Sequence, residues 1–368
     1  MNFRIDSFEL QKRLSDIQSI IEKKATTPVL SNFLLTVGAE GSSIYATDLD
    51  MAIKEPITVT SVQKPGKFCL PAKKLYEIAR EITGEITFEE SENNWVTIKA
   101  GKSYFRIACI ESEEYPQWPE IDEGRQIIID ARNLLGMIEK TFYSAGEADP
   151  RYTLNGVLFH IFGEQKKMML VGTDSHRLAA IETDIDVPFN DELKLIVPRK
   201  TVSELKKFLT GIEGDISFDI SQNHIRFNIF EKEFLTKLIE GSYPAYDQVI
   251  PKNNDKTAVI AREEFISVLK RVAVINRDKS KIIKIDISEN EMEIFATDPE
   301  LGEARDSMDV RFDSDTLSVG YNSRYLLELL LNMETENVVI KFLDSQNPTL
   351  FMEEGVERYR CVIMPVRM

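Results

Sequence analysis

The chain repeats itself three times, and that repetition restricts its fold more than any other feature. Ala46-Thr47-Asp48, Gly172-Thr173-Asp174 and Ala296-Thr297-Asp298 each follow an apolar, alternating stretch, at spacings of 126 and 124 residues. A second marker comes after each one. Pro71, Pro198 and Tyr321 stand directly ahead of a helical pattern, 127 and 123 residues apart. Tyr115-Pro116 and Tyr243-Pro244 form a third marker, 128 residues apart, and Met364-Pro365 lies 121 further on at the chain end. Markers recurring in one order at one period mean a module used repeatedly. The period is one third of 368 residues, and a single core stops growing at about 250 to 300 residues. Three domains are therefore expected, over 1–122, 123–251 and 252–368, the second boundary falling in the linker-like run Pro251-Lys252-Asn253-Asn254-Asp255-Lys256.

Within each unit the pattern reads as a strand, a helix and three strands, and the same order then repeats. Phe8, Leu10, Leu14, Ile17, Ile20 and Ile21 carry the apolar stripe of the first helix, and Leu75, Ile78, Ala79 and Ile82 that of the second. Segments such as ITFEE, WVTIKA and YFRIACI alternate with the period of two expected for half-buried strands. The spacing predicts helices over 7–24, 72–82, 131–142, 199–210, 262–281 and 323–333. The fold class that follows is α+β, with three tandem copies of a domain in which two helices lie on antiparallel sheets.

Charge then separates by element type. The whole chain carries a net charge of -16, which taken alone argues against a nucleic-acid binder. The six predicted helices, however, carry +1, +1, +1, +3, +3 and 0, together +9, so the remainder carries -25. Helices facing one common direction would form a basic surface, with an acidic exterior that repels polyanions. A ring achieves this. A domain of this length is roughly 35 Å across. Three in a closed triangle leave a hole of only a few Å, whereas six in a hexagon leave about 35 Å, room for a duplex of roughly 20 Å. Two chains are required.

Catalytic motifs are missing from the sequence. Cys69, Cys109 and Cys361 show no metal-ligand or disulfide spacing, which fits a reducing, cytoplasmic setting. No signal-peptide pattern and no long apolar run is present, so no membrane partner is expected. His160, His176 and His224 are scattered among strands, so neither a metal nor another cofactor is expected. Asp174-Ser175-His176 has the residue types of a hydrolytic triad, but neighbours on an extended strand point to opposite faces.

Longer motifs carry a resemblance: Thr26-Thr27-Pro28-Val29-Leu30, Arg151-Tyr152-Thr153-Leu154-Asn155-Gly156, Thr173-Asp174-Ser175-His176-Arg177-Leu178, Val197-Pro198-Arg199-Lys200, Tyr243-Pro244-Ala245-Tyr246 and Met364-Pro365-Val366-Arg367. Over its whole length the sequence resembles the bacterial sliding clamps, the β subunits of DNA polymerase III. Ser175 stands where the family also has Gly, and Met368 where it commonly has Leu. The resemblance implies a homodimeric ring that encircles duplex DNA without reading its sequence, tethers the replicative polymerase, clamp loader and repair proteins, and has no enzymatic activity. It implies a partner-peptide cleft between the second and third domains formed by Leu154, Thr173, His176, Arg177, Leu178, Pro244, Val249, Val362, Met364, Pro365, Val366, Arg367 and Met368. It also implies a dimer interface of Phe105 and Ile107 against Val274 and Ile275. Lys24, Lys73, Arg80, Arg199, Lys200, Lys206 and Lys207 are the expected phosphate contacts. Two rivals remain at this point: a hydrolase using Asp48, Asp174 and Asp298 as metal ligands, and an acidic peptide-binding scaffold that leaves DNA alone.

Overall fold

The computed structural model describes residues 1–21, 27–92, 94–119, 121, 125–276 and 281–367. The chain forms two compact units, one of 1–132 with 207–238 and one of 133–206 with 239–368. The expected boundary at 122/123 falls outside the described residues.

The first unit holds a five-stranded and an eight-stranded sheet, the second a nine-stranded and a four-stranded sheet. The two large sheets are joint constructions. In the eight-stranded sheet, Met51–Pro56 pairs antiparallel with Lys232–Lys237, Ala52 opposite Leu235. In the nine-stranded sheet, Arg177–Asp184 pairs with Val356–Ile363 in the same manner, Leu178 opposite Val362. Each junction joins the strand after one repeat's Thr-Asp marker to the last strand of the following repeat. The third copies of these two strands are Gly302–Asp309 and Ser103–Ala108. They lie at the edges of the four-stranded and five-stranded sheets, each with one neighbour among the described residues.

The repeated aspartates explain the marker. Asp48 Oδ1 accepts from the amides of Asp50 (3.0 Å) and Met51 (2.7 Å). Asp174 does the same for His176 and Arg177, both at 3.0 Å, and Asp298 for Glu300 and Leu301 at 2.9 and 3.0 Å. An Asx side chain closing its own turn is local structure, so each aspartate is occupied in its own repeat rather than converging on a metal. The Asp174-Ser175-His176 triplet is a turn and not an extended strand. Ser175 has φ of 70° there, as Leu49 has φ of 77° in the first repeat, a left-handed conformation that glycine adopts most readily.

Gly172 stands where the other repeats have Ala46 and Ala296. A Cβ on it would lie 2.2 Å from the carbonyl oxygen of Thr141, at the end of a helix. Gly172→Ala is therefore expected to destabilise the protein by about 1–3 kcal/mol through overpacking, read as a melting temperature lowered by roughly 2–4 °C per kcal/mol.

The helices are α1 (Ser7–Ile17), α2 (Ala72–Glu81), α3 (Ala131–Phe142), α4 (Arg199–Leu209), a single turn α5 (Tyr246–Val249), α6 (Arg262–Ala273) and α7 (Ser323–Leu331). Their starts follow local chemistry. Asp6 caps α1 through Phe8 N–H at 2.8 Å and Asn322 caps α7 through Arg324 N–H at 3.0 Å, while Pro71 and Pro198 immediately precede α2 and α4. Two expectations need correction. Phe8 is 74% exposed in the first turn of α1, whose buried face is Leu10, Leu14 and Ile17. Helices α1 and α6 stop at Ile17 and Ala273, short of the expected 24 and 281. With the observed bounds the six long helices carry +6 rather than +9, because the remaining basic excess lies beyond the helix ends.

Candidate nucleic-acid interface and peptide cleft

Among the described residues, the expected phosphate contacts sit on α2 and α4. Lys73 and Arg80 are exposed on α2, with Arg80 5.8 Å from the centre of the Tyr76 ring. Lys200 and Lys207 are exposed on α4, and Lys206 makes an ion pair with Glu139 at 3.0 Å. Lys24 lies outside the described residues. Arg199 differs from the rest. It is half-buried, its Nη1 donates to the carbonyls of Phe142 and Ala145, both at 2.8 Å, and its guanidinium lies 4.2 Å from the Phe142 ring centre. Phe142 is the last residue of α3 and Ala145 lies in the turn after it, so Arg199 ties down the helix C-terminus and its exit, and burial pulls its pKa below the ordinary arginine value.

The residues expected at the cleft fall into two layers. Leu154, Leu178 and Val362 are buried, at 0%, 2% and 1% exposure, so they back the surface instead of forming it. Thr173 is also buried, its hydroxyl donating to the Arg177 carbonyl at 2.7 Å. His176, Pro244, Val249 and Arg367 are exposed, and Met364, Pro365 and Val366 half-buried. The tail is tied at two points: Met364 N–H donates to His176 O at 2.9 Å and Val366 N–H to Gly320 O at 2.8 Å. Met368 lies outside the described residues. Behind the tail, Leu178 and Val362 share one apolar cluster with Leu158, Val171, Tyr246 and Leu350.

Arg177 is not the basic rim expected of it. It is 8% exposed, donates to Asp174 at 3.0 Å, to Glu328 and to the Tyr143 carbonyl at 2.6 Å, and lies 4.4 Å from the Tyr325 ring centre. Burial pushes the Glu328 carboxyl up, but hydrogen bonds from Arg324 and Arg177 outweigh it and hold the group below the usual range. A cavity of about 490 Å³ opens beside this hub, lined among others by His176, Arg199, Arg324 and Tyr325. Arg324, Tyr325 and Glu328 are absent from the sequence reading. No local signal marks them, because Glu328 meets Arg177 across 151 positions.

Of the expected interface residues, Phe105 and Ile107 lie on the edge strand Ser103–Ala108. Ile107 is turned into its own unit at 8% exposure. Val274, just past α6, is 81% exposed, whereas Ile275 is partly buried against the core of the last repeat. Helix α6 contacts the other edge strand, Gly302–Asp309, with Arg271 Nε 2.5 Å from Asp306.

Comparison with known proteins covers the whole chain. The family described as DNA polymerase III beta subunit matches with its N-terminal domain at residues 1–119, its central domain at 128–245 and its C-terminal domain at 247–367. A beta sliding clamp of Pseudomonas putida is 31% identical over 369 residues, covering all of both chains. The crystal structure of the DNA polymerase III subunit beta from Pseudomonas aeruginosa superposes with a TM-score of 0.96 at 31% identity, again over all of both chains. A sliding clamp from the same organism, solved bound to griselimycin, gives a TM-score of 0.95 at 31% identity with the same coverage.

Proposed function

The chain belongs to the DNA polymerase III beta subunit family, the sliding clamps, and from that premise we propose that two copies close head to tail into a six-domain ring around duplex DNA. The observation that carries this reading is the pair of leftover sheet edges. Two junctions within the chain use the post-marker strand of one repeat and the last strand of the next, and the third such pair, Gly302–Asp309 and Ser103–Ala108, is split between the two ends of the chain. A second copy supplies the missing partner at each end. Closure also removes two exposed edges open to unspecific pairing. Phe105 would then face Val274 of the other copy, with Ile107 and Ile275 packed behind them in their own units. The domains are 1–122, 123–251 and 252–368; the three family matches, at 1–119, 128–245 and 247–367, support three units and start the third a few residues earlier.

The clamp does no chemistry. It works in the cytoplasm, where its three free thiols are at home. It holds the replicative polymerase on DNA, and the loader and repair proteins visit the same ring. Lys73, Arg80, Lys200, Lys206 and Lys207, with Lys24, attract phosphates without reading bases, as sliding requires. Arg199 adds its charge to theirs, with Nη1 engaged by the Phe142 and Ala145 carbonyls. Partner peptides dock on Pro244, Val249, His176 and the tail from Met364 to Met368, over a floor of Leu178 and Val362. An apolar cleft with a few polar groups suits leucine and phenylalanine anchors, and methionine adapts one surface to several partners.

We propose that griselimycin, which a relative binds, docks at this cleft in the present chain, and it serves as the probe. Removing Met364 to Met368 is expected to weaken its binding, measured by calorimetry, by about tenfold or more, equivalent to about 1.4 kcal/mol, while the dimer persists. Unaltered affinity in the truncated protein would overturn the cleft assignment.

A further inference from the structure

His160 is a buried group that neither DNA encirclement nor peptide contact uses. It lies on the strand Gly156–Phe162 at 4% exposure, its ring 3.8 Å from that of Phe162. Both ring nitrogens are engaged: Nδ1 is 2.7 Å from Tyr246 Oη and Nε2 is 2.8 Å from Glu192 Oε1. An ionised carboxylate only accepts. Nε2 therefore carries the proton, and Nδ1 accepts from the Tyr246 hydroxyl.

Tyr246 is the keystone of the segment that presents Pro244 and Val249. Its amide donates to Pro244 O at 2.7 Å, its carbonyl accepts from Ile250 N–H at 3.3 Å, and its ring packs in the cluster that holds Leu178 and Val362. We propose that His160 is a positioning residue for the peptide cleft, holding Tyr246 so that the turn from Pro244 to Val249 keeps the shape that a partner peptide meets.

The other repeat with this segment supports a dedicated role. Leu34 pairs with Tyr45 as Leu158 pairs with Val171, so Thr36 takes the place of His160, and Trp118 follows Tyr115-Pro116 as Tyr246 follows Tyr243-Pro244. There Thr36 and Trp118 line a cavity of about 430 Å³. The filled, hydrogen-bonded version occurs in the repeat that carries the cleft.

The pin keeps a partner in either protonation state, because the Tyr246 hydroxyl donates to a neutral Nδ1 and can accept from a protonated one. Burial lowers the His160 pKa below the ordinary histidine value, against an opposing pull from Glu192, so the neutral, accepting form prevails at neutral pH.

This inference rests on the docking reading, and the test separates the two. His160→Phe removes both bonds and is expected to raise the griselimycin dissociation constant about three- to tenfold, the effect of one buried neutral hydrogen bond. Tyr246→Phe, which deletes only a hydroxyl, should match it, and the double variant should be no worse than either single one. His160→Gln, whose amide can both donate to Glu192 and accept from Tyr246, should recover most of the affinity. Wild-type affinity in folded, dimeric Tyr246→Phe, or a His160→Gln variant that binds no better than His160→Phe, would overturn the proposal. Failure of the docking reading itself shows separately, as griselimycin binding that survives removal of Met364 to Met368.

Discussion

Val274→Asp is expected to convert the dimer into a soluble, folded monomer. Val274 is 81% exposed in the single chain, so a carboxylate there is fully hydrated and leaves the fold of its own unit intact. In the closed ring it would be covered by the partner copy, and burying an unpaired charge costs several kcal/mol. The ring has two such junctions, so even about 2 kcal/mol at each, about 4 kcal/mol in all, weakens the dimer roughly a thousandfold. Sedimentation equilibrium reads this directly, and an unchanged dimer would remove Val274 from the interface. Ile275 is a poorer target, because its side chain already packs against the core of the last repeat and a charge there would damage the monomer as well.

Much of this architecture was legible in the sequence wherever the cause is local. Pro71 and Pro198 mark two helix starts in the sequence itself, and the Thr-Asp markers recur because each aspartate closes its own turn. Helix ends were less legible. Apolar spacing continues past Ile17 to Ile20 and Ile21 although α1 has stopped, and Ile20 stays buried without being helical. Phe8 keeps the helical phase of its neighbours yet faces outward, since phase alone does not say how far a buried stripe extends along the first turn.

The site shows the same division. Tyr243-Pro244 and Met364-Pro365 were visible as markers, and the apolar character of Leu178 and Val362 was plain, but their division into a buried floor and an accessible surface depends on tertiary packing. Arg177 and Arg199 read as basic surface because charge is what a sequence displays. The Arg177 guanidinium is instead taken up by Asp174, Glu328 and the Tyr143 carbonyl, and Nη1 of Arg199 by the carbonyls of Phe142 and Ala145. The link between His160 and Tyr246 joins positions 86 apart, and no spacing rule anticipates it.

A ring changes what phosphate contacts are for. Lysine and arginine contacts to a duplex weaken steeply with salt, because each releases counterions on binding. A protein held only by them dissociates from circular and linear DNA alike as salt rises. A closed ring leaves by opening or by reaching an end, so its retention depends on the lifetime of the interface around Val274 and the two edge strands. The decisive measurement places the protein on a nicked circular duplex with its loader, raises the salt to a level that strips ordinary electrostatic binders, and then cuts the circle once. The wild type should stay on the circle and leave promptly after the cut. Equal loss before and after the cut would contradict encirclement.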